Sequence, residues 1–168
     1  MARGKIGFVG LGIMGKPMVR NLIKADYDVT IYDIVAEAVE ELASEGAHPA
    51  SSAAEVAASV PTIITMVPDS PQSEAAIMGP GGVLEGASEG DTVIDMSSIA
   101  PGSSQKIAAA CEAAGVSFLD APVSGGETGA IEGTLAVMVG GKKDIFDSNH
   151  DMLSTMAGRI VLCGGYGA

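Results

Sequence analysis

A chain of 168 residues is long enough for one full domain and short for two. Apolar residues make up 47% of it, which supplies a buried core and argues against intrinsic disorder. The formal charge of −12 repels phosphate backbones, so no nucleic-acid partner is expected, and any phosphate site must be local and built from backbone N–H groups.

The N-terminal run MARGKIGFVGLG turns from apolar to glycine-rich too early for a signal peptide. No apolar run approaches the length of a membrane span, so no membrane partner is expected. The two cysteines, Cys111 and Cys163, lack metal-ligand spacing, and no metal site is expected. They fit a reducing cytoplasm, with Cys111 a buried structural thiol in an Ala-rich helical run. His48 and His150 stand alone and read as surface or loop side chains.

In chain order, residues 5–9 (KIGFV) predict a strand, and 13–25 a helix with Met14, Met18, Leu22 and Ala25 on one side. Residues 28–32 predict a strand, and 36–45 an acidic amphipathic helix that Gly46 is placed to end. Ser51 or Ser52 can cap a short helix through Ala58. Then follow a buried-type strand at 62–67, a helix at 71–78, a strand at 92–95, and a helix at 102–114 ending at Gly115. Strands at 116–119 and 134–139, a helix at 142–156 and a strand at 159–163 complete the chain. Strand and helix alternating in this way give an α/β, Rossmann-type, doubly wound and mostly parallel sheet with helices on both faces.

Gly10-Leu11-Gly12-Ile13-Met14-Gly15 follows the first strand and opens the first helix. In that setting Gly10 permits the tight turn, Gly12 lets a pyrophosphate approach the backbone, and Gly15 lets the helix pack close to the sheet. The helix N-terminus adds free N–H groups and a positive dipole end. Pro17 falls in the first turn, where its missing donor does little harm. Asp33 ends the second strand, 21 residues after Gly12, where a carboxylate accepts hydrogen bonds from a ribose 2′-OH and repels a 2′-phosphate. Ile34 follows, where an NADP enzyme offers Arg. NAD(H) is therefore expected over NADP(H). The competing reading is a glycine turn made for packing, with Asp33 a solvated strand end.

Three further strand ends face the same crevice. Met66-Val67-Pro68-Asp69 is either part of the ligand edge or a plain strand-ending turn. In Asp95-Met96-Ser97-Ser98 the serines either cap the next helix, or Ser98 points its hydroxyl into the crevice. Asp120-Ala121-Pro122-Val123-Ser124-Gly125-Gly126 is either a plain turn or a nest of consecutive N–H groups beside a hydroxyl, suited to a small carboxylate.

FVGLGIMGKPM, MVPDSP, DMSSIAPG and DAPVSGGETGAIEGTLAVMVGG, in this order, resemble the β-hydroxyacid dehydrogenase family over essentially the whole chain. Val19 is a small departure, where the family usually carries Ser or Ala. The resemblance implies that Gly10–Gly15 and Asp33 hold the adenosine half of NAD, and that Val67 and Pro68 contact the cofactor. Ser98 then lies near the nicotinamide and substrate, and Ser124, Gly125 and Gly126 bind the substrate carboxylate. The implied reaction is reversible hydride transfer. The resemblance is strongest to members that reduce tartronate semialdehyde (2-hydroxy-3-oxopropionate) to glycerate; the alternatives are 3-hydroxyisobutyrate oxidation, a related semialdehyde, and a non-catalytic NAD-binding module.

The resemblance also implies what the chain lacks. It places the catalytic lysine beyond Ala168, on a long interdomain helix that GGYGA opens. Residues 1–163 are thus expected to form the NAD-binding domain and 164–168 the start of that helix, with an all-helical second domain absent. Lys142 and Lys143 match a surface position and are not expected to be catalytic. The fragment is expected to be inactive alone, to expose apolar surface, and to come from a homo-oligomeric enzyme.

Overall fold

The structure, a computed structural model, describes residues 3–168; residues 1 and 2 of the expected domain lie outside it. Its sheet contains β1 (Lys5–Val9), β2 (Asp28–Tyr32), β3 (His48–Pro49), β4 (Thr62–Thr65), β5 (Thr92–Asp95), β6 (Ser117–Asp120), β7 (Val123–Ser124), β8 (Leu135–Gly141) and β9 (Ala157–Gly164). The first six lie in the order β3-β2-β1-β4-β5-β6, all parallel. Strand β8 runs antiparallel to both β6 and β7, and β9 lies parallel to β8. The strand order reverses between β1 and β4. At such a point the loops leaving the two strands diverge to opposite faces and open a crevice above the C-terminal edge.

The helices are α1 (Gly15–Lys24), α2 (Ala36–Ala43), α3 (Ala53–Ser59), α4 (Ser70–Met78), α5 (Val83–Gly86), α6 (Pro101–Ala113), α7 (Gly126–Glu132) and α8 (Lys143–Leu153). Two apolar layers follow from strand alternation. On one face Phe8, Ile64, Ile94 and Leu119 pack with Met18 and Leu22 of α1 and Leu153 of α8. On the other Val9, Ile63, Val93 and Phe118 pack with Val56, Ile77 and Ile107 of α3, α4 and α6. Burial on both faces explains the near-continuous apolar strands. Each fully buried Leu or Ile contributes roughly 1.5–3 kcal/mol. Val19 is one of these core side chains, fully enclosed in the first layer.

The expected alternation holds, with corrections. Strand 62–67 ends at Thr65 and helix 142–156 at Leu153. Four short elements escape the periodicity: β3, α5, β7 and α7. Strand β3 pairs only Thr30 with His48 and Ile31 with Pro49. Helix α7 forms in the glycine-rich run GETGAIE because Gly129 and Ala130 are buried and Asn21 Nδ2 donates to the Ala130 carbonyl (2.8 Å). Ser52 is the cap of α3, its hydroxyl accepting from Glu55 N. Both cysteines are free, Cys111 buried and Cys163 exposed; burial pushes the Cys111 thiol up to about 12. Among the described residues, no helix is long and apolar enough to cross a membrane.

Gly7 sets how closely α3 approaches the sheet. A Cβ there would lie 2.5 Å from Val56 Cγ1 and 2.8 Å from Val60 Cγ2. Gly7→Val is expected to cost about 1–3 kcal/mol by overpacking. Thermal unfolding followed by circular dichroism checks this; an unchanged melting temperature would contradict the packing.

Candidate functional site

The glycine loop is gripped from both sides. Gly10 N donates to the Tyr32 carbonyl (3.0 Å), and Met66 N donates to the Val9 carbonyl (2.9 Å). Gly10 has φ +106°, and a Cβ on it would run into the Met66 carbonyl oxygen. A Cβ on Gly15 would run into the Gly10 carbonyl. These two glycines are compelled by the protein's own backbone. Gly12 is different: a Cβ there would meet nothing within 4 Å. Its bareness leaves room for a group from outside. Helix α1 begins behind Met14 with no side-chain cap and no acid in its first turn, so its first N–H groups face the same opening. Leu11 is buried in the core, whereas Ile13 is 70% exposed on the rim.

Asp33 is not a solvated strand end. One carboxylate oxygen accepts from Leu11 N (2.6 Å) and the other from Val35 N (2.8 Å). It therefore ties the glycine loop to the end of β2. Each oxygen has a further lone pair for an outside hydroxyl. Ile34, 90% exposed, stands beside it and offers no cation.

The loops after β4 and β5 are stapled together. Val67 N donates to Ser97 Oγ (2.8 Å), and Ser97 N donates to Asp95 Oδ1 (3.1 Å). Thr65 Oγ1 donates to the same oxygen (3.0 Å). Pro68 follows Val67 directly, and Asp69 then caps α4 by accepting from Ser70 N (2.7 Å). Neither serine caps α6. Its N-cap is Ala100, whose N–H donates to Ser70 Oγ (3.0 Å). Ser97 is buried, and Ser98 is exposed at the strand end. Asp95 is fully buried, and burial pushes its carboxyl above the usual range, opposed by hydrogen bonds from Ser97 and Thr65 and by the nearby Ser73 hydroxyl. The sequence offered Ser97 only as a cap for the next helix and gave Asp95 no role; the available signal was an acid closing an otherwise apolar strand.

The DAPVSGG run is more than a turn. Ala121 N donates to the Asp95 carbonyl (2.7 Å), and Val123–Ser124 then form β7 against β8. Gly125 (φ +132°) and Gly126 (φ +60°) turn the chain into α7, a path closed to most side chains. Ser124, Gly125 and Gly126 are all exposed. Asp120 is buried and accepts from Gly167 N (2.6 Å). Burial pushes its carboxyl up, opposed by the Gly167 and Gly140 N–H groups and reinforced by Asp95. A cavity of about 50 Å³ lies between Ser97, Pro101, Asp120, Pro122 and Gly167, where this run meets the loop after β5. Gly10–Gly15, Asp33, Val67 and Ser97 thus form one hydrogen-bonded assembly at the β1/β4 edge. Asp120 lies two strands away, in register with Asp95. Four lysines are engaged elsewhere: Lys16 with Glu41, Lys106 with Glu74, Lys142 with Glu112 and Lys143 with Asp147.

Residues 5–165 match the family described as the NAD binding domain of 6-phosphogluconate dehydrogenase. Human mitochondrial 3-hydroxyisobutyrate dehydrogenase is 41% identical over 162 residues, 96% of this chain and 48% of that protein. The 2-hydroxy-3-oxopropionate reductase of Escherichia coli K12 is 41% identical over 163 residues, 97% of this chain and 56% of that enzyme. Among solved structures, Mycobacterium tuberculosis 3-hydroxyisobutyrate dehydrogenase with L-serine superposes with a TM-score of 0.94 at 37% identity, covering 100% of this chain and 56% of that one. The chain spans about half the length of these relatives.

Gly12 and Gly15 should separate in their effects. Gly12→Ala is expected to change stability by less than about 0.5 kcal/mol while weakening NADH binding at least ~10-fold. Gly15→Ala is expected to cost stability as well, because it displaces the Gly10 carbonyl. Denaturant unfolding and NADH titration of both variants check this. Equal destabilisation by the two would remove the distinction.

Proposed function

Because this chain belongs to the family of NAD-binding domains that the 3-hydroxyisobutyrate dehydrogenases share with 6-phosphogluconate dehydrogenase, we propose that it is the NAD(H)-binding half of a reductase for a small semialdehyde. The observation that carries this is the bare face of Gly12 between two glycines the backbone compels, with Asp33 locked beside them. The absence of any atom within 4 Å of a Cβ at Gly12 supports the approach of a nucleotide pyrophosphate to the loop. The N–H groups of Leu11 to Gly15 not used internally face it, and the α1 dipole adds to their pull. The exposed Ile13 and the half-buried Met14 flank the phosphates. The free lone pairs of Asp33 accept from ribose hydroxyls, and its charge rejects a 2′-phosphate. Hence NAD(H) is preferred over NADP(H).

Val67 and Pro68, fixed by Ser97, form the floor for the cofactor's reactive end, and Ser98 offers its hydroxyl beside it. Ser124, Gly125 and Gly126 hold the substrate carboxylate through exposed N–H groups and one hydroxyl. NAD(H), when bound, supplies or takes the hydride. The proton to the alkoxide comes from a general acid, the lysine that the family resemblance places after Ala168. The lysines paired on the surface here do not serve. The 168 residues alone therefore bind cofactor without enzymatic turnover, since losing a proton-transfer group costs ~10²–10⁴-fold in rate.

The substrate we favour is tartronate semialdehyde, reduced to glycerate. 3-Hydroxyisobutyrate is the second reading, favoured by the equal identity to the human enzyme and the superposition on the mycobacterial one. Both are small acids that a carboxylate nest accepts. The two free thiols suit a cytoplasmic setting. Exposed Ile131, Met138 and Val161 suit self-association within a homo-oligomer.

Fluorescence titration of the chain with NADH and NADPH tests the cofactor reading. Saturable NADH binding, at least ~10-fold tighter than NADPH, is expected. Asp33→Ser should erase that preference, because it removes the charge facing the 2′ position. Failure of either nucleotide to bind would overturn the reading. Steady-state assay of the chain with tartronate semialdehyde and NADH should show no turnover above background.

A further inference from the structure

Four polar groups meet in the apolar layer beneath the Val67–Ser97 staple. Asp95 comes from β5, Thr65 from β4, Ser73 from α4, and Ser97 from the loop above; all four are buried. Asp95 Oδ1 is fully used, accepting from Thr65 Oγ1 and Ser97 N. Asp95 Oδ2 and Ser73 Oγ are each buried without a hydrogen-bond partner. Yet the Ser73 hydroxyl lies close enough to bear on the Asp95 carboxyl, short of ordinary hydrogen-bond geometry. Two such orphans in one apolar layer are costly unless they satisfy each other.

Charge decides how they do so. Among the described residues no lysine, arginine or histidine pairs with Asp95. The titratable group facing it from the neighbouring strand is Asp120, another acid, in register on β6. A buried carboxylate without a cation and beside a second acid takes a proton rather than stay charged. Burial pushes both carboxyls upward, in agreement.

We propose that Asp95 is a positioning residue which stands as a neutral carboxylic acid, donates its Oδ2 proton to Ser73 Oγ, and through Ser97 fixes the Val67 amide at the floor of the cofactor site. The chain of contacts is continuous. The acid holds Ser97 N, the Ser97 hydroxyl accepts Val67 N, and Pro68 follows at the nucleotide edge. The same acid joins α4 to β5, so the loops after β4 and β5 move as one body. Its role in binding rests on the cofactor reading above; its protonation and its hold on Val67 do not.

Three measurements on the 168-residue chain test this. Infrared difference spectra of wild type and Asp95→Asn at neutral pH should show a protonated-acid carbonyl band that Asn removes and Ser73→Ala shifts. Amide exchange at Val67 should accelerate about tenfold in Asp95→Ala and Ser97→Ala and remain near wild type in Asp95→Asn, whose amide can still accept from Ser97 N and donate to Ser73. NADH affinity should follow the same order, with Asn restoring it to within about threefold of wild type and Ala losing about tenfold. Should Asp95→Ala fail to fold, Asp95→Asn and Ser73→Ala carry the test. Absence of the acid band, or an unchanged Val67 amide in Asp95→Ala and Ser97→Ala, would overturn the proposal. If wild type fails to bind NADH, the cofactor reading falls, and the infrared and exchange results still decide the role of Asp95.

Discussion

The site depends on one close approach of backbone to backbone, where Gly10 passes the Met66 carbonyl with no space for a Cβ. That contact is possible because β1 and β4 are neighbours in parallel register, Val9 opposite Thr65. It brings the loops after the two strands together at the edge where the strand order reverses. Gly15 meets the Gly10 carbonyl, so α1 starts as near the sheet as a helix can. Asp33 then clamps the loop from the β2 side. Open space at Gly12 is what remains once the neighbouring gaps have been closed.

The parts legible in the sequence were those in which local pattern and global role coincide. The runs at 5–9, 28–32 and 92–95 match their strands, because each is a short β-branched or aromatic run whose Val and Ile side chains are buried. Glycine spacing and the placement of Asp33 were legible for a similar reason: the steric demands of a tight strand-to-helix turn fall on fixed positions. What escaped depends on distant partners. Val123–Ser124 reads locally as a turn and becomes a strand only because β8 returns beside it. Helix α7 has glycine inside it and at both ends, and is held by packing and by Asn21, over a hundred residues away in sequence.

The polar interior was also hidden, for another reason. In a chain of charge −12 an aspartate at a strand end reads as one more surface acid. Asp33 and Asp95 occupy equivalent places, each ending a parallel strand at the crevice, yet their environments differ. Asp33 is half-buried and accepts from two backbone amides, so it can face a ligand. Asp95 lies under the loops, among hydroxyls, and faces only protein. Similar residues in similar topological positions are thus divided between the open edge and the buried scaffold by the depth of the following loop. Ser97 and Ser98 divide the same way: the first is buried and spent on Val67, the second exposed.

Asp120 extends this logic to the other end of the crevice. It sits where β6 gives way to the Ala121-Pro122 bend, and its side chain accepts the Gly167 amide. Tyr166 packs on Phe118, with ring centroids 5.9 Å apart, so the last residues of the chain are held against β6 by both an apolar and a polar contact. Ala121 N meanwhile donates to the Asp95 carbonyl. The start of the Ser124–Gly126 nest, the end of the chain and the loop after β5 therefore meet at two adjacent acids. A shift of any one disturbs the hydrogen bonds of the others, because both carboxyls are buried and a lost partner there is costly. Rigid coupling of this kind keeps the two ends of the crevice at a constant separation. On the function proposed above, with a cofactor at one end and a carboxylate at the other, that constancy matters, since a misplacement of about 1 Å can cost 10²-fold in rate.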